Sequence, residues 1–329
     1  MTAAHQDRVL GAMLRREVPP ERTAEYARAV ERLGLDELWV VEDCFFAGGI
    51  ASVTAALAAT DRIAVGIGVL PAVMRNVAAT ALEVAALARM FPGRLLPGIG
   101  HGVSDWMRQI GAFPASQLAA LEEVTSALRS LLAGERVSMA GKHVHLDEVA
   151  LEFPPAVVPP VATGVRAVRS LRTSGRVADG TVLTEMSAPG YVRWAREQID
   201  AGRAEAGRTD AHRVTVYAFS APDGPWGAGR DAAAALVAPA LRSGSLDLQL
   251  AEAGIGAAAA DLVRGTPDAA ATAAALPAEW LDLLTVSGDP ARCRRSLDAL
   301  YDAGADAVVL VPAAADPDAA LAQLAAVVS

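Results

Sequence analysis

Two adjacent carboxylates, Glu42 and Asp43, follow the apolar run LWVV and stand directly before Cys44, Phe45 and Phe46. Neighbouring carboxylates at the end of a buried strand can bind a cofactor, polarise a substrate or exchange a proton. The alternative is that one of them caps the next helix while the other is solvated. If the strand ends at the mouth of a parallel barrel, its position favours the functional interpretation.

A histidine, His101, lies between alternating glycines in the stretch GRLLPGIGHGVSDWMRQIGA. A core strand gains nothing from Gly98, Gly100 and Gly102, because glycine packs no side chain and costs backbone entropy. The glycines therefore indicate a sharp turn or a group that approaches the backbone closely. Histidine titrates near neutral pH, so His101 is a candidate for proton transfer, or else for hydrogen bonding to a ligand or capping the next helix.

Glycine also interrupts two other apolar runs. Gly66 and Gly68 lie within RIAVGIGVL and predict a bulge or a close approach of another group to the backbone. In VATGVRAVRSL, a strand passes through Gly164 into a helix whose first turn contains Arg166, and the free N–H groups at such a junction suit a phosphate. A further run ends in two polar candidates, Thr184 and Glu185.

Other chemistries find little support in the sequence. His143 and His145 alternate in a predicted hairpin, but no third ligand follows at metal-binding spacing, so a surface strand is the preferred interpretation and no metal site is predicted. The stretch GIGHGV has the wrong spacing for a dinucleotide fingerprint, and we find neither a P-loop nor a nucleophile elbow.

The elements that must position these residues alternate between short apolar runs and helical patterns. This alternation predicts a (β/α)8 TIM barrel, with the active site at the carboxyl ends of its strands. A doubly wound sheet is disfavoured because no Rossmann-type glycine fingerprint follows the first strand. The eight predicted strands are VLGAML, DELWVVED, RIAVGIGVL, RLLPGIG, PPVATG, GTVLTE, RVTVYAFS and DAVVLVP.

We expect one barrel domain over residues 1–329, with insertions after strands 4 and 7. Residues 101–153 would contain an active-site insertion and a small hairpin that turns at Ala140–Gly141. Residues 228–275 are rich in alanine, show no strand pattern and would form a helical insertion.

The composition excludes several function classes. The 329 residues carry a net charge of −9, and no basic patch is evident, so neither nucleic acid nor an anionic membrane surface is an expected partner. The chain has two cysteines, and we find no signal peptide and no apolar run of membrane-spanning length. We therefore expect a cytoplasmic protein with reduced thiols.

The chain resembles the bacterial-luciferase-like superfamily, and within it the actinobacterial group related to methylene-tetrahydromethanopterin reductase, which uses the deazaflavin coenzyme F420. The resemblance covers nearly the whole chain. The stretches that carry it are LDELWVVEDCFFAGG, RIAVGIGVLPAVMRN, GRLLPGIGHGVSDWMRQIGA, GRVADGTVL and SGDPARCRRSLDALYDAGADAVVL.

This resemblance implies roles for individual residues. Gly68–Val69 falls where the family has a non-proline cis peptide behind the deazaflavin ring. The other residues expected to line the ring or its side chain are Asp43, Cys44 (where relatives often carry histidine), His101, Gly102 and Val103. The residues expected to contact the phosphate or neighbouring groups are Gly164, Val165, Arg166, Ala167, Thr184 and Glu185.

The resemblance also implies the chemistry. We expect an oxidoreductase that transfers a hydride between F420 and a small organic substrate, with His101 as the first candidate proton donor and Asp43 or Glu42 as the second. The expected substrate pocket contains Phe45, Phe46, Asp105 and Trp106. Family members are often homodimers, so a homodimer is expected here.

Two alternatives remain open at the level of the sequence. One is an FMN-dependent monooxygenase of the same fold, because the matching stretches discriminate poorly between the two cofactors. The other is a barrel that binds a cofactor without catalysis. Two departures from the family pattern support this second alternative: Ala167–Val168 stands where relatives commonly have Gly-Pro, and Val103 stands where some relatives place a carboxylate, with Asp105 two residues on.

Overall fold

The strands of the computed structural model, which describes residues 8–224 and 228–328, form one large sheet and one hairpin. In chain order they are β1 (Val9–Met13), β2 (Glu37–Val40), β3 (Ala64–Pro71), β4 (Leu95–Gly100), β5 (Val137–Ala140), β6 (His145–Val149), β7 (Ala162–Gly164), β8 (Gly180–Leu183), β9 (Arg213–Pro222), β10 (Val286–Gly288) and β11 (Ala307–Pro312).

Eight of these strands close into a parallel barrel in the order β1-β2-β3-β4-β7-β8-β9-β11, with β11 pairing back to β1. The predicted (β/α)8 barrel is therefore confirmed. The predicted strands correspond one to one with the barrel strands, because each is a short apolar run buried on both faces.

Helices cover the outside of the barrel and form the insertions. They are α1 (Thr23–Arg32), α2 (Gly49–Ala59), α3 (Val77–Met90), α4 (Ser104–Gln109), α5 (Gln117–Leu132), α6 (Val168–Val177), α7 (Pro189–Glu205), α8 (Gly229–Arg242), α9 (Asp247–Glu252), α10 (Gly256–Gly265), α11 (Ala269–Ala274), α12 (Ala278–Leu284), α13 (Pro290–Asp302) and α14 (Pro317–Val328), with a 3₁₀ turn over Pro20–Arg22 before α1.

Local sequence signals set several helix starts. The side chain of Asn76 accepts a hydrogen bond from the N–H of Ala78 at 2.9 Å, which caps α3. The side chain of Asp289 caps α13 in the same way through the N–H of Arg292, and Pro290 occupies its first position. These caps fix the residues at which the two helices begin.

The core has two layers. Residues that point outward from the strands pack against the helices in the main hydrophobic cluster, as Val65 and Ile67 of β3 do. Inward-pointing residues form a separate cluster inside the barrel: Met13, Trp39, Val182, Tyr217, Val309 and Val311. The barrel interior is therefore packed rather than open, and a ligand must bind above this cluster.

Two segments interrupt the barrel pattern. Between β4 and β7 lie α4, α5 and the antiparallel hairpin β5–β6, in which Ala140 pairs with His145. The turn of this hairpin, predicted at Ala140–Gly141, comprises residues 141–144. The carboxylate of Glu123 accepts hydrogen bonds from the N–H groups of Lys142, His143 and Val144 at 2.8–2.9 Å.

The second interruption lies between β9 and β11. It contains the five helices α8 to α12 and then the short strand β10, which the sequence analysis does not predict. β10 pairs in parallel with Ser220–Pro222, the carboxyl end of β9. Three residues are too few to show a strand periodicity, so β10 is fixed by this pairing rather than by its own sequence.

Among the residues that the structure describes, no helix has the length and apolar character needed to cross a membrane.

Candidate active site

The carboxyl ends of the barrel strands gather most of the candidate residues around one mouth. At the end of β2, Glu42 is only 4% exposed. Both of its carboxylate oxygens bind the guanidinium of Arg75, and one of them also accepts a hydrogen bond from the N–H of Gly49 at 2.9 Å. These bonds raise the pKa of Arg75 and tie the end of β2 to the start of α2 and to the loop before α3.

Asp43 faces a cation that the sequence analysis missed. Its carboxylate forms an ion pair with Arg16 at 2.9 Å. The Arg16 guanidinium also lies 5.0 Å from the ring centre of Phe46 and 5.9 Å from that of Trp106. The loops after β1 and β2 and helix α4 thus meet at Arg16, whose position just after the first strand is the signal that could have identified it.

Cys44 is buried beside Met74, with 3.8 Å between the two sulfur atoms. Burial raises the pKa of the Cys44 thiol, and the charges of Glu42 and Asp43 raise it further. The thiol is therefore protonated at neutral pH and is not a nucleophile in this state. The next peptide bond, Cys44–Phe45, is cis.

The two phenylalanines after Cys44 present apolar surface at the mouth. Phe45 is 68% exposed and Phe46 is 53% exposed. Two neighbouring exposed rings form an apolar patch, and contiguous apolar patches mark ligand grooves or partner interfaces.

Strand β3 bulges where it reaches the mouth. Its pairing with β4 shifts register between Ile67 and Leu70, and the peptide bond Gly68–Val69 is cis, as the family resemblance implies. Gly68 and Val69 are half-buried, whereas Ile67 and Leu70 are buried in the outer core. The bulge therefore directs two consecutive residues toward the barrel interior and the mouth.

Trp39 and Tyr217 form the floor beneath this bulge. Their rings meet edge to face at 5.7 Å, and the indole N–H of Trp39 donates to Glu37 at 2.9 Å. A Cβ on Gly66 would lie 2.3 Å from Trp39, and one on Gly68 would lie 1.6 Å from the Tyr217 hydroxyl oxygen. Trp39 and Tyr217 thus leave no room for a side chain at Gly66 or Gly68, which confirms the predicted close approach of another group to the backbone.

The hydroxyl of Tyr217 has no hydrogen-bond partner among the described residues, and the residue is buried, with 5% of its surface exposed. Burial raises its pKa well above the usual value, with smaller contributions from the charges of Glu185, Glu37 and Asp43. Tyr217 is not among the residues predicted from the sequence, although the alternation of RVTVYAFS could have placed it inside the barrel, since Val214 and Val216 pack outward.

His101 is half-buried at the end of β4. Burial lowers the pKa of its imidazole below 6.5, and the charge of Arg166 lowers it further, while the backbone of Gln117 acts in the opposite direction. The imidazole is therefore neutral at pH 7. Its Nδ1 atom is buried and has no partner among the residues described.

The chain turns sharply just after His101. Gly102 has a φ of +71°, and a Cβ there would lie 3.0 Å from both Met107 and Pro71. The chain then enters α4, with the exposed Val103 at its N-cap. On this helix Trp106 lies beside Arg16, whereas Asp105 has an 87% exposed side chain that pairs with Arg108 at 2.8 Å.

The end of β7 leads directly into α6. Because Ala167 at the N-cap has no polar side chain, the first N–H groups of α6 are left for another acceptor. The exposed Arg166 side chain lies next to them, and its backbone carbonyl accepts a hydrogen bond from the Tyr191 hydroxyl at 2.7 Å. Val165, just before Arg166, is buried in the outer core.

At the end of β8, Thr184 donates a hydrogen bond to the carboxylate of Glu185 at 2.6 Å. The side-chain amide of Gln249 on α9 donates to the backbone carbonyl of Glu185 at 3.4 Å. The helical insertion therefore contributes a buried residue to this side of the mouth. The sequence carries no signal for Gln249, since only the fold brings α9 to β8.

The structure thus places the candidates from five strand ends around one mouth. Glu42 has a structural role because it is paired with Arg75, and Asp105 points to solvent, where it pairs with Arg108. Within residues 8–224 and 228–328, no group of three histidine, cysteine or acidic residues is arranged to hold a metal ion.

Comparison with known proteins identifies relatives across the whole chain. The 5,10-methylenetetrahydromethanopterin reductase of Methanolobus tindarius is 29% identical over 300 residues, which cover 88% of this chain and 90% of the relative. The F420-dependent glucose-6-phosphate dehydrogenase of Nakamurella multipartita is 30% identical over 182 residues, or 52% of this chain and 54% of the relative.

Solved structures match the fold. The F420-dependent tetrahydromethanopterin reductase from Methanopyrus kandleri superposes with a TM-score of 0.81 at 22% identity and covers 96% of this chain and 97% of its own. An F420-dependent secondary alcohol dehydrogenase in complex with an F420–acetone adduct superposes with a TM-score of 0.75 at 19% identity, with 97% of each chain covered. A sequence profile of luciferase-like monooxygenases matches residues 4–307, and the chain therefore belongs to that family.

Proposed function

We propose that this protein is an oxidoreductase that binds coenzyme F420 and transfers a hydride between it and a small organic substrate. The observation that carries the proposal is the bulge Gly68–Val69, which brings a half-buried surface to the mouth of the barrel. The relatives named for F420-dependent reactions support F420 over FMN as the cofactor.

The residues at the mouth fit a planar ring with an anionic side chain. Val69, Phe45 and Phe46 offer apolar surface to a ring. The N-terminus of α6 with Arg166 offers N–H groups and positive charge to a phosphate. The unpartnered Nδ1 of His101 offers a hydrogen-bonding atom between these two regions.

We assign the contacts to F420 as follows. The ring side of the site comprises Asp43, Cys44, Gly68, Val69, His101, Gly102 and Val103. The phosphate side comprises Gly164, Val165, Arg166, Ala167, Thr184 and Glu185, where buried Val165 acts through its backbone. Because Val168 has a backbone N–H that proline lacks, the Ala167–Val168 sequence keeps the anion site at the start of α6.

F420, when bound, supplies a ring carbon that carries the hydride. The protein must therefore orient the ring, exclude water and manage one proton. Because the His101 imidazole is neutral at pH 7, it is suited to accept a proton from an alcohol-type substrate during oxidation. In the reductive direction His101 must first be protonated, which acidic pH favours.

Asp43 is the second candidate for proton transfer, and its side chain lies at the mouth in an ion pair with Arg16. Glu42 is assigned to the scaffold, because both of its oxygens are committed to Arg75. We assign Phe45, Phe46 and Trp106 to the substrate side of the site, and the exposed Asp105 only to its rim.

The test is hydride transfer itself. The purified protein is mixed with oxidised F420 and a panel of small alcohols, or with reduced F420 and the matching carbonyl compounds, and the cofactor spectrum is followed. We expect turnover with at least one class of substrate and its loss by about 100-fold in His101→Ala. Full activity of His101→Ala would overturn the proton-transfer role of His101.

Two other outcomes correspond to the alternatives. Oxygen-dependent turnover with reduced FMN and none with F420 would identify an FMN-dependent monooxygenase, a chemistry to which the family name refers. Tight F420 binding without hydride transfer to any member of the panel would identify a barrel that binds the cofactor without catalysis.

A further inference from the structure

We infer that Gly100 and Gly164 form a socket that seats the side chain of Val69, and that this socket fixes the surface on which the cofactor ring rests. Both glycines then act on the ring through Val69, and the contact assigned above to Gly164 on the phosphate side is separate from this role. The inference builds on the proposed function, because it treats Val69 as part of the cofactor site.

The socket lies on the inner face of the barrel. Gly100 of β4 and Gly164 of β7 are register partners in adjacent strands. A Cβ on Gly100 would lie 2.3 Å from one Val69 methyl carbon, and a Cβ on Gly164 would lie 2.7 Å from the other. Each methyl group of Val69 is therefore seated against one glycine.

A third glycine borders the socket without forming it. A Cβ on Gly98 would lie 3.3 Å from a Val69 methyl carbon, but its nearest neighbour would be the backbone carbonyl oxygen of Ile67 at 2.6 Å. A side chain is thus excluded at Gly98 by the backbone of β3 and at Gly100 by the side chain of Val69. Gly102 is required because its φ is positive. The three alternating glycines after Leu96 have three separate physical causes.

Val69 forms the surface behind the ring, and the two glycines hold its side chain in position. Two methyl groups wedged between β4 and β7 leave Val69 a single side-chain position, since valine is stiff at χ1 and each wall is rigid backbone. A side chain held in this way gives a ring a fixed backing surface at no further cost in conformational entropy. If either wall carried a methyl group, Val69 and the bulge would have to shift toward the mouth, where the ring binds.

The test is a double-mutant cycle with a compensating pair. Gly100→Ala adds a methyl group to the wall, and Val69→Ala removes the Val69 methyl carbon that it would strike at 2.3 Å, which leaves the Val69 Cβ as the nearest atom at 3.1 Å. We measure the dissociation constant for F420 on protein that circular dichroism shows to be folded, for the wild type, Gly100→Ala, Val69→Ala and the double variant. Urea unfolding of the four proteins runs in parallel.

We expect Gly100→Ala to weaken F420 binding at least tenfold, Val69→Ala to weaken it less, and the double variant to return to within about threefold of Val69→Ala. Gly265→Ala, a glycine with nothing within 4 Å of its added Cβ, serves as the control and should bind as the wild type does. If Gly100→Ala does not fold, Gly164→Ala replaces it in the same cycle.

The inference is overturned if Gly100→Ala binds F420 as tightly as the wild type, or if the double variant binds as weakly as Gly100→Ala. Failure of the wild type to bind F420 would instead remove the proposed function. In that case the socket is tested by urea unfolding. Gly100→Ala must then lower the free energy of unfolding less in the Val69→Ala background than in the wild type.

Discussion

The His101 imidazole lies between solvent and the barrel, and this position sets its protonation state. Burial and the charge of Arg166 both disfavour the imidazolium, so its pKa falls below the ordinary 6.5. The residue type alone does not predict this lowered pKa. The sequence indicates a histidine near a strand end, but its state depends on the burial and on the neighbouring arginine that the fold provides.

A pH profile tests that state. Because the folded pKa of His101 is below 6.5, its neutral form persists at pH 6.5 and is lost only at lower pH. We expect the rate of F420 reduction by a substrate to be flat above about pH 7 and to fall at acidic pH. His101→Ala should lack this acidic limb. A limb that lies above pH 7, or one that survives in His101→Ala, would contradict the assignment.

Glu42 is expected to matter for stability rather than for proton transfer. Glu42→Gln removes the buried charge partner of Arg75 and leaves only the Glu83 carboxylate at 3.7 Å, so we expect a loss of about 3 kcal/mol in the free energy of unfolding. Asp105→Asn, which removes one partner of an exposed ion pair, should change it by less than about 0.5 kcal/mol. Urea unfolding of both variants gives the comparison, and equal effects would contradict the buried role of Glu42.

At the scale of elements, strand boundaries and the glycine-bearing strand β3 could be predicted, because apolar runs and glycines within them have local causes. The strand β10, the turn of the β5–β6 hairpin and the contact of Gln249 with β8 could not, because each depends on a partner distant in sequence. The same limit applies to the glycines of β4, because Gly98 faces the Ile67 carbonyl and Gly100 faces the Val69 side chain, both on the neighbouring strand β3.

A buried polar chain links α6, β7, β8 and β9 on the outside of the barrel. Thr163, Ser174 and Thr181 are joined by hydrogen bonds of 2.6 Å, and Thr181 contacts the Nε2 atom of His212 at 2.8 Å. Burial and three nearby arginines lower the pKa of His212 to about 4. The folded state therefore holds His212 neutral, and acid must destabilise it.

This lowered pKa predicts a pH-dependent loss of stability. The unfolded chain takes up a proton at His212 as the pH falls through 6.5, whereas the folded chain does so only near pH 4. The contribution of neutral His212 to the free energy of unfolding is therefore present above pH 6.5 and is lost as the pH falls from 6.5 to 4. The contribution is about 3 kcal/mol. His212→Gln should show a weaker decline in unfolding free energy from pH 7 to pH 4, and His145→Gln, at an exposed position, should decline as the wild type does. Identical slopes for all three proteins would contradict a neutral buried His212.

At the scale of the whole molecule, the order of strands and helices is sufficient to predict the barrel, since eight strand–helix units allow few other topologies. The position of the mouth can be predicted as well, because the active site of such a barrel lies at the carboxyl ends of its strands. What the sequence leaves open is how the insertions cover that mouth, because an alanine-rich helical segment has no strong pattern to direct its packing.

An apolar surface on α3 supports the expected homodimer. Leu82 and Met90 of α3 are 62% and 58% exposed, and the neighbouring Phe153 is 67% exposed. We expect a dimer in light scattering and a monomer for the pair Leu82→Glu and Met90→Glu. Val328→Glu, at an exposed apolar position on α14, is the control and should remain dimeric. A monomeric wild type would contradict the proposal.

The most direct test of the assignment is a pair of equilibrium titrations of the purified protein, one with F420 and one with FMN, followed by the absorption and fluorescence of each cofactor. We predict saturable binding of F420 at one site per chain, at least tenfold tighter than the binding of FMN. Tighter binding of FMN, or no binding of F420, would contradict the assignment.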